Sequence, residues 1–483
     1  MADVPSQLEI GERLRTFLPS VEEKKGLILS HLLGFALFSE FALNVLKFSL
    51  PFTPANSIPI RLIAIYLLID RTGRVSRLRF STWDYIILSF IFLTGVGCVY
   101  TATSAPGVPV NFEDYRRFVG LFLNAYIYYL VAKEGLNRRG FRPDITVKWV
   151  LAGLAWSALV GIMQTLNLFH ARTWSGVYAN SLLTNLREAN SEDANVSFAS
   201  GTATWWTSMA LEMLVGFALV FGPTFRRKPK WWEWCLGVLF MGAFMATQSR
   251  GGLLAFGACS VVTFFWYLYH KKYALAMVIG TTVTVAVTIW VFAVFALHIE
   301  KFMVSLKGEK VQGSEYTQSL TGRLEQQKDL INIGLRQPVF GTGPNFSLLA
   351  GPGAKFDIWS NYSHVGPIDT MYGYMFAQFG VVGLGFLIVM QGYFIFFMRK
   401  ATAYRPYAFA AFFIGVGFSV HGLAEFLLYS RTFIVMNLLA AYAGSPYLAS
   451  EEGRAPFRRL VKNPWPVKPK PVLTPSGTKP AEA

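Results

Sequence analysis

The chain has 483 residues, of which 53% are hydrophobic and only 15% charged, with a mean hydropathy of +0.39. Soluble domains carry about 25% charged residues, so a soluble domain with a single anchor is excluded. The net charge of +16 is scattered over many membrane-edge segments rather than one face, which argues against a nucleic-acid partner.

Apolar stretches recur from end to end and predict an all-α, polytopic membrane protein of about 12 transmembrane helices. Residues 1–25 carry charges of both signs and no small-residue cleavage site, so the first span is an uncleaved anchor. Residues 26–298 hold nine predicted spans: 26–50, 56–70, 84–103, 115–132, 147–168, 203–222, 231–248, 251–269 and 273–298. A connecting loop, 169–202, interrupts them, and a large, partly helical loop fills 299–379. The last three spans, 380–398, 406–428 and 430–447, occupy the segment 380–449. Residues 450–483 read as a disordered, basic, proline-rich tail near anionic lipid.

Lys and Arg set the orientation. Alternate connections are basic: Arg71 to Arg79, Lys133 to Arg142, Arg226 to Lys230, Lys271 and Lys272, and Arg399 to Arg405. Both termini fall in this phase and are assigned to the cytoplasm. The short connections 51–55 and 104–114 contain neither Lys nor Arg, so the other side is external. It receives the two long loops and the hairpin around Arg250, in Gln248-Ser249-Arg250-Gly251-Gly252.

The external membrane edge is rich in arginine: Arg61, Arg116, Arg117, Arg172, Arg187, Arg323, Arg336 and Arg431. Guanidinium forks match phosphate and carboxylate oxygens in bidentate fashion, which a lysine point charge does not. Any one of them can simply snorkel to lipid headgroups; as a set they point to a shared anionic ligand. In the second long loop, Ser319 or Thr321 caps a predicted helix with Leu324, Ile331 and Leu335 on its apolar face, stopped by Pro338. Next, Phe340-Gly341-Thr342-Gly343 forms a turn that reads either as a plain structural turn or as a backbone nest for phosphate. Asn361 to His364 and then Ile368-Asp369-Thr370-Met371-Tyr372 lead into Gly380-Val381-Val382-Gly383.

Other polar groups invite plainer readings. Glu40, Glu212, His421 and Glu425 lie within spans, and intramembrane charges usually have partners, so Glu425 pairs structurally with Arg431. Glu188, Glu192 and Asp193 form a solvated acidic patch. Cys98, Cys235 and Cys259 lie in or at the ends of spans, and no His/Cys cluster has metal spacing, so neither a disulfide framework nor a metal site is expected.

Taken in order, Ser249-Arg250-Gly251-Gly252, Thr321-Gly322-Arg323, Pro338 to Gly343 and Asp369/Tyr372 running into Gly380 resemble the O-antigen ligase and polymerase superfamily of bacterial polysaccharide enzymes. The resemblance implies a metal-independent, inverting glycosyltransferase without cofactor, on the periplasmic face of the bacterial inner membrane. Its donor would be a glycan on undecaprenyl diphosphate. Its acceptor would be a second lipid-linked glycan for a polymerase, or lipid A core for a ligase. Chain-length regulator and flippase proteins are implied partners. Arg250 and Arg323, with Arg172, Arg117, Arg61 and Arg431, would bind the diphosphate, with Gly341, Gly343 and Tyr372 close to the ligand.

The acceptor hydroxyl needs a base. Ligases commonly show His-Asn at the register that falls here on Asp369-Thr370, while the nearest imidazole, His364, sits five residues earlier. This favours Asp369 as base and a polymerase-like reading; His364 and a ligase are the alternative. A glycan transporter or lipid-diphosphate flippase is a further alternative, although transporters place their polar sites at mid-membrane.

Overall fold

The computed structural model describes residues 21–42, 58–71, 80–104, 112–138, 140–166, 168–170, 201–203, 206–222, 229–247, 249–269, 327–328, 330–343, 370–401, 407–423 and 430–444. Among these residues every regular element is helical. The helices are α1 (Val21–Ala42), α2 (Ile58–Arg71), α3 (Thr82–Ser104), α4 (Phe112–Leu136), α5 (Pro143–Leu166) and α6 (Trp206–Phe221). They continue with α7 (Trp231–Ala246), α8 (Arg250–Tyr269), α9 (Met371–Gly392), α10 (Ala408–His421) and α11 (Arg431–Gly444). Each falls on a predicted span; the remaining span, 273–298, lies outside the described residues. Helix α1 begins before the predicted residue 26, its first turns including Glu22 to Lys25, and residues 43–50 lie outside the described residues.

Four helical stretches are long and apolar enough to cross a membrane: Glu23–Ala42, Thr82–Thr103, Pro143–Leu166 and Met371–Phe397. Large apolar side chains, including Phe92, Leu62, Val238 and Ile388, stand exposed on the bundle, while Glu40, Glu212, Asn437 and His421 are buried inside it. An apolar exterior over a polar interior is what a lipid solvent selects.

Side-chain contacts sort the helix ends into two layers. At one end, Asp84 of α3 accepts hydrogen bonds from Lys133 (2.5 Å), Tyr126 (2.6 Å) and Tyr129 (3.1 Å) of α4. Arg142, at the start of α5, donates its backbone N–H to Ser30 of α1 (2.7 Å). Tyr407, before α10, lies against Tyr442 late in α11. At the opposite end, Phe41 of α1, Thr202 before α6 and Arg431 of α11 meet. The chain therefore alternates between an Asp84 end and an Arg431 end, in the same phase as the basic connections.

Helix α9 departs most from expectation. It begins at Met371, inside the segment read as loop, so Tyr372 is helical. It then breaks at Gly380 (φ 58°, ψ −145°). Tyr372 and Gln391 are 19 residues apart, yet the Tyr372 Oη and Gln391 Nε2 lie 2.7 Å from each other. A straight helix would separate those residues by about 28 Å at 1.5 Å per residue. The first arm, 371–379, therefore folds back along the second, which continues through a π turn (Tyr393–Phe397) to Ala401.

Such a break strips backbone groups of their helical partners, and the turn at 338–343 replaces them. Val381 and Val382 donate to the carbonyls of Pro338 (2.8 Å) and Val339 (3.3 Å). In return, Thr342 and Gly343 donate to the carbonyls of Ala377 and Gln378, both at 2.9 Å. This clasp requires glycine on both sides. Gly380 and Gly341 both have positive φ, and a Cβ on either would meet backbone atoms closer than 3.0 Å.

The helical stretch before the turn packs differently from its predicted phase. Leu330 and Ile333 are buried, whereas Ile331 and Leu335 are exposed and Leu324 lies outside the described residues. The contact face is set by the re-entrant arm, whose Gly373 lies against Leu330 and whose Phe376 lies against Gly334.

Candidate functional site

The Arg250 hairpin is a capped helix start. Ser249 is the residue before α8, and its Oγ accepts the Gly252 N–H at 3.0 Å, as an N-cap serine does. The missing side chain of Gly252 lets α8 close on Ala210 of α6. Arg250 is thus the first residue of α8, beside the helix that carries Glu212. The positive end of the α8 dipole adds to the arginine's own charge there.

Arg431 is the best-defined cation of this end. Its Nε forms an ion pair with Glu212 Oε1 at 2.8 Å, with the two side chains 11% and 2% exposed. Its Nη1 donates to the carbonyls of Glu40 (2.9 Å) and Phe41 (3.0 Å) and to Thr202 Oγ1 (3.1 Å). Its Nη2 is enclosed and makes no hydrogen bond among the described residues. Tyr128 donates to Glu40 Oε1 at 2.9 Å. The partner seen for Arg431 is therefore Glu212; the expected partner, Glu425, lies outside the described residues. One guanidinium ties α1, α6 and α11 together at a single level.

The re-entrant arm reaches the same end. Helices α8 and α10 run antiparallel, with Cys259 Sγ 3.4 Å from the Phe413 carbonyl and against Gly417. That register brings the first turn of α8, with Arg250, level with His421 at the end of α10. Gly422, the next residue, accepts the Met371 N–H at 2.9 Å. Tyr372 Oη donates to the Ser419 carbonyl at 2.8 Å. The starts of α8, α11 and the arm thus converge around the end of α10, where the buried His421 sits.

The other predicted residues fall as follows. Arg61 is half-buried on α2, and Arg117 is on α4 with its side chain outside the described residues. Arg172, Arg323, His364 and Asp369 also lie outside them, as does the side chain of Arg250; Asp369 immediately precedes Thr370 in the chain. Gly341 and Gly343 are placed in the clasp. The phosphate-nest reading of this turn needs correction: the N–H groups of Gly341, Thr342 and Gly343 already bind the carbonyls of Gln337, Ala377 and Gln378. Thr370 and Gln391 were not singled out from the sequence.

Residues 235–388 match the family model described as O-antigen ligase. The match runs from α7 through the α8 hairpin and the clasp into the second arm of α9. It supports the O-antigen ligase and polymerase superfamily that the motifs resemble, and with it a membrane enzyme of that kind. No curated protein matches the chain.

Proposed function

We propose that this protein is an inverting, metal-independent glycosyltransferase that polymerises glycan units carried on undecaprenyl diphosphate. The Arg431 end faces the periplasm of a bacterial inner membrane, the chain crosses it about twelve times, and both termini are cytoplasmic. One observation carries the reading: the O-antigen ligase match covers the segments that bring the Arg250 helix start and the re-entrant arm to one end of the bundle.

In the reaction, the acceptor hydroxyl oxygen attacks the anomeric carbon from the face opposite the diphosphate. The C–O bond to phosphate breaks with its electron pair leaving on the diphosphate, and the hydroxyl proton passes to the Asp369 carboxylate. Charge developing on the leaving group is stabilised by Arg250 and Arg323, with Arg172, Arg117, Arg61 and Arg431 forming the surrounding basic field. In the ligase alternative, His364 takes the proton and lipid A core is the acceptor.

Purified protein in liposomes, given lipid-linked oligosaccharide and lipid A core together, separates the two. Longer lipid-linked chains are expected. Glycan on lipid A core would establish the ligase, and no new glycosidic bond on either acceptor would refute both.

A further inference from the structure

We propose that the first turn of the re-entrant arm binds a phosphate-type oxyanion through the Thr370 hydroxyl and the backbone N–H groups of Tyr372 and Gly373. On the glycosyltransferase reading, on which this assignment of the ligand rests, the anion is a phosphate of the lipid diphosphate donor.

The first N–H groups of any helix lack intrahelical acceptors, and here two have found none elsewhere. Met371 N–H binds the Gly422 carbonyl (2.9 Å) and Tyr374 N–H binds the Thr370 carbonyl (3.2 Å). Between them, the N–H groups of Tyr372 and Gly373 have no acceptor among the described residues. A threonine before a helix normally satisfies such a donor with its own oxygen. Thr370 does not: it is 1% exposed, and its Oγ1 makes no hydrogen bond among the described residues. That hydroxyl leans over the turn, 3.0 Å from where a Cβ on Gly373 would sit.

Three donors on one largely buried turn are therefore without an acceptor among the described residues. Leaving a buried donor unmade costs about 1–3 kcal/mol, so a single ligand meeting all three removes a substantial penalty. The absent side chain at Gly373 lets Leu330 and the Thr370 hydroxyl pack close to the turn; a Cβ there would press on Thr370 Oγ1 at 3.0 Å and on Leu330 at 3.1 Å.

The electrostatics select an anion. Nine helical residues follow in the arm, enough to place a positive dipole end at Thr370. The starts of α8 and α11 lie at the same end of the bundle, with Arg250 the first residue of α8 and the charge of Arg431 matched by Glu212. The nearby carboxylate of Glu212 is already engaged by Arg431, and that of Glu40 by Tyr128. Half-helices that point their N-termini at an anionic group are a recurring device of membrane proteins.

The test measures binding of undecaprenyl diphosphate to the detergent-purified full chain, with inorganic pyrophosphate and phosphatidylglycerol as competitors. Thr370→Val removes the hydroxyl at constant shape and should weaken lipid-diphosphate binding about tenfold, the low end for a hydrogen bond to a charged group. Thr370→Ser should restore it, with the melting temperature of both variants near wild type. Pyrophosphate should compete; competition by phosphatidylglycerol instead would assign the site to a lipid headgroup and overturn the donor assignment. Gly373→Ala, which covers the turn and leaves the hydroxyl, should weaken binding as well and carries the test should Thr370→Val fail to fold. Wild-type affinity in both Thr370→Val and Gly373→Ala would overturn the site. Threonine-dependent binding without any glycosyl transfer would instead leave the site standing and remove the glycosyltransferase reading.

Discussion

Replacing Gly380 by alanine attacks the one backbone position on which the re-entrant fold depends. At φ 58° and ψ −145° the residue occupies a conformation essentially reserved for glycine, and holding another residue there costs about 1–3 kcal/mol. The new Cβ would also lie 2.6 Å from the Val339 carbonyl carbon and oxygen, which are backbone atoms that cannot rotate away. Overpacking of that kind adds about 1–3 kcal/mol, for a total of roughly 2–6 kcal/mol. At about 2–4 °C per kcal/mol, the melting temperature should fall by at least about 4 °C. Gly385→Ala is the matched control, since a Cβ there meets no heavy atom within 4 Å. It should be neutral or gain up to about 1 kcal/mol from helix propensity. Intrinsic-fluorescence melts of the two detergent-purified variants decide the matter. Equal melting temperatures would mean that the chain does not turn back at Gly380.

Other perturbations address the pair, the chemistry and the orientation. Arg431→Leu should destabilise by about 3–5 kcal/mol because it strands Glu212, while the double variant with Glu212→Leu recovers much of the loss in the same melts. Arg250→Lys keeps the charge but loses the fork, so most turnover should disappear while the protein still inserts; wild-type turnover would leave only a headgroup role. Asp369→Asn should lower turnover at least about 100-fold, and His364→Ala less, across a pH series with donor saturating. The reverse order would return the lead to a ligase. A cysteine placed at Ser314 should be labelled from the periplasmic side and one at Ser76 spared; the opposite pattern would invert the site assignment.

The helices were legible because apolar runs mark them: eleven described helices overlap predicted spans, and four helical stretches are long and apolar enough to cross a membrane. The reversal at Gly380 was not legible. Residues 371–379 fall in the segment assigned to the loop, with the span beginning at Gly380, and hydropathy does not show that the two are helical arms folded back on each other. The information resides in a non-local pairing between the 338–343 turn and the break, which no local pattern records. The same limit explains Arg431. Glu425, suggested by proximity in the chain, lies outside the described residues, and the Glu212 partner comes from packing of α6 against α10 and α11. The end of the loop helix before Pro338 was legible, its start lying outside the described residues, but Leu330 and Ile333 rather than Ile331 and Leu335 make the contact. The hairpin at Arg250 was readable because a charged, glycine-containing break between two apolar runs is a local signal. The free donors at Thr370 depend on where a helix starts, which is the least local-pattern-bound feature of all.

The central claim is that a glycosidic bond forms at the expense of a lipid diphosphate linkage. The direct measurement counts undecaprenyl diphosphate released against glycosidic bonds formed in proteoliposomes supplied with lipid-linked oligosaccharide. The account predicts release and bond formation in equal amounts, both abolished by Arg250→Lys. Intact lipid-linked oligosaccharide crossing the bilayer, with no diphosphate released, would contradict it and identify a flippase.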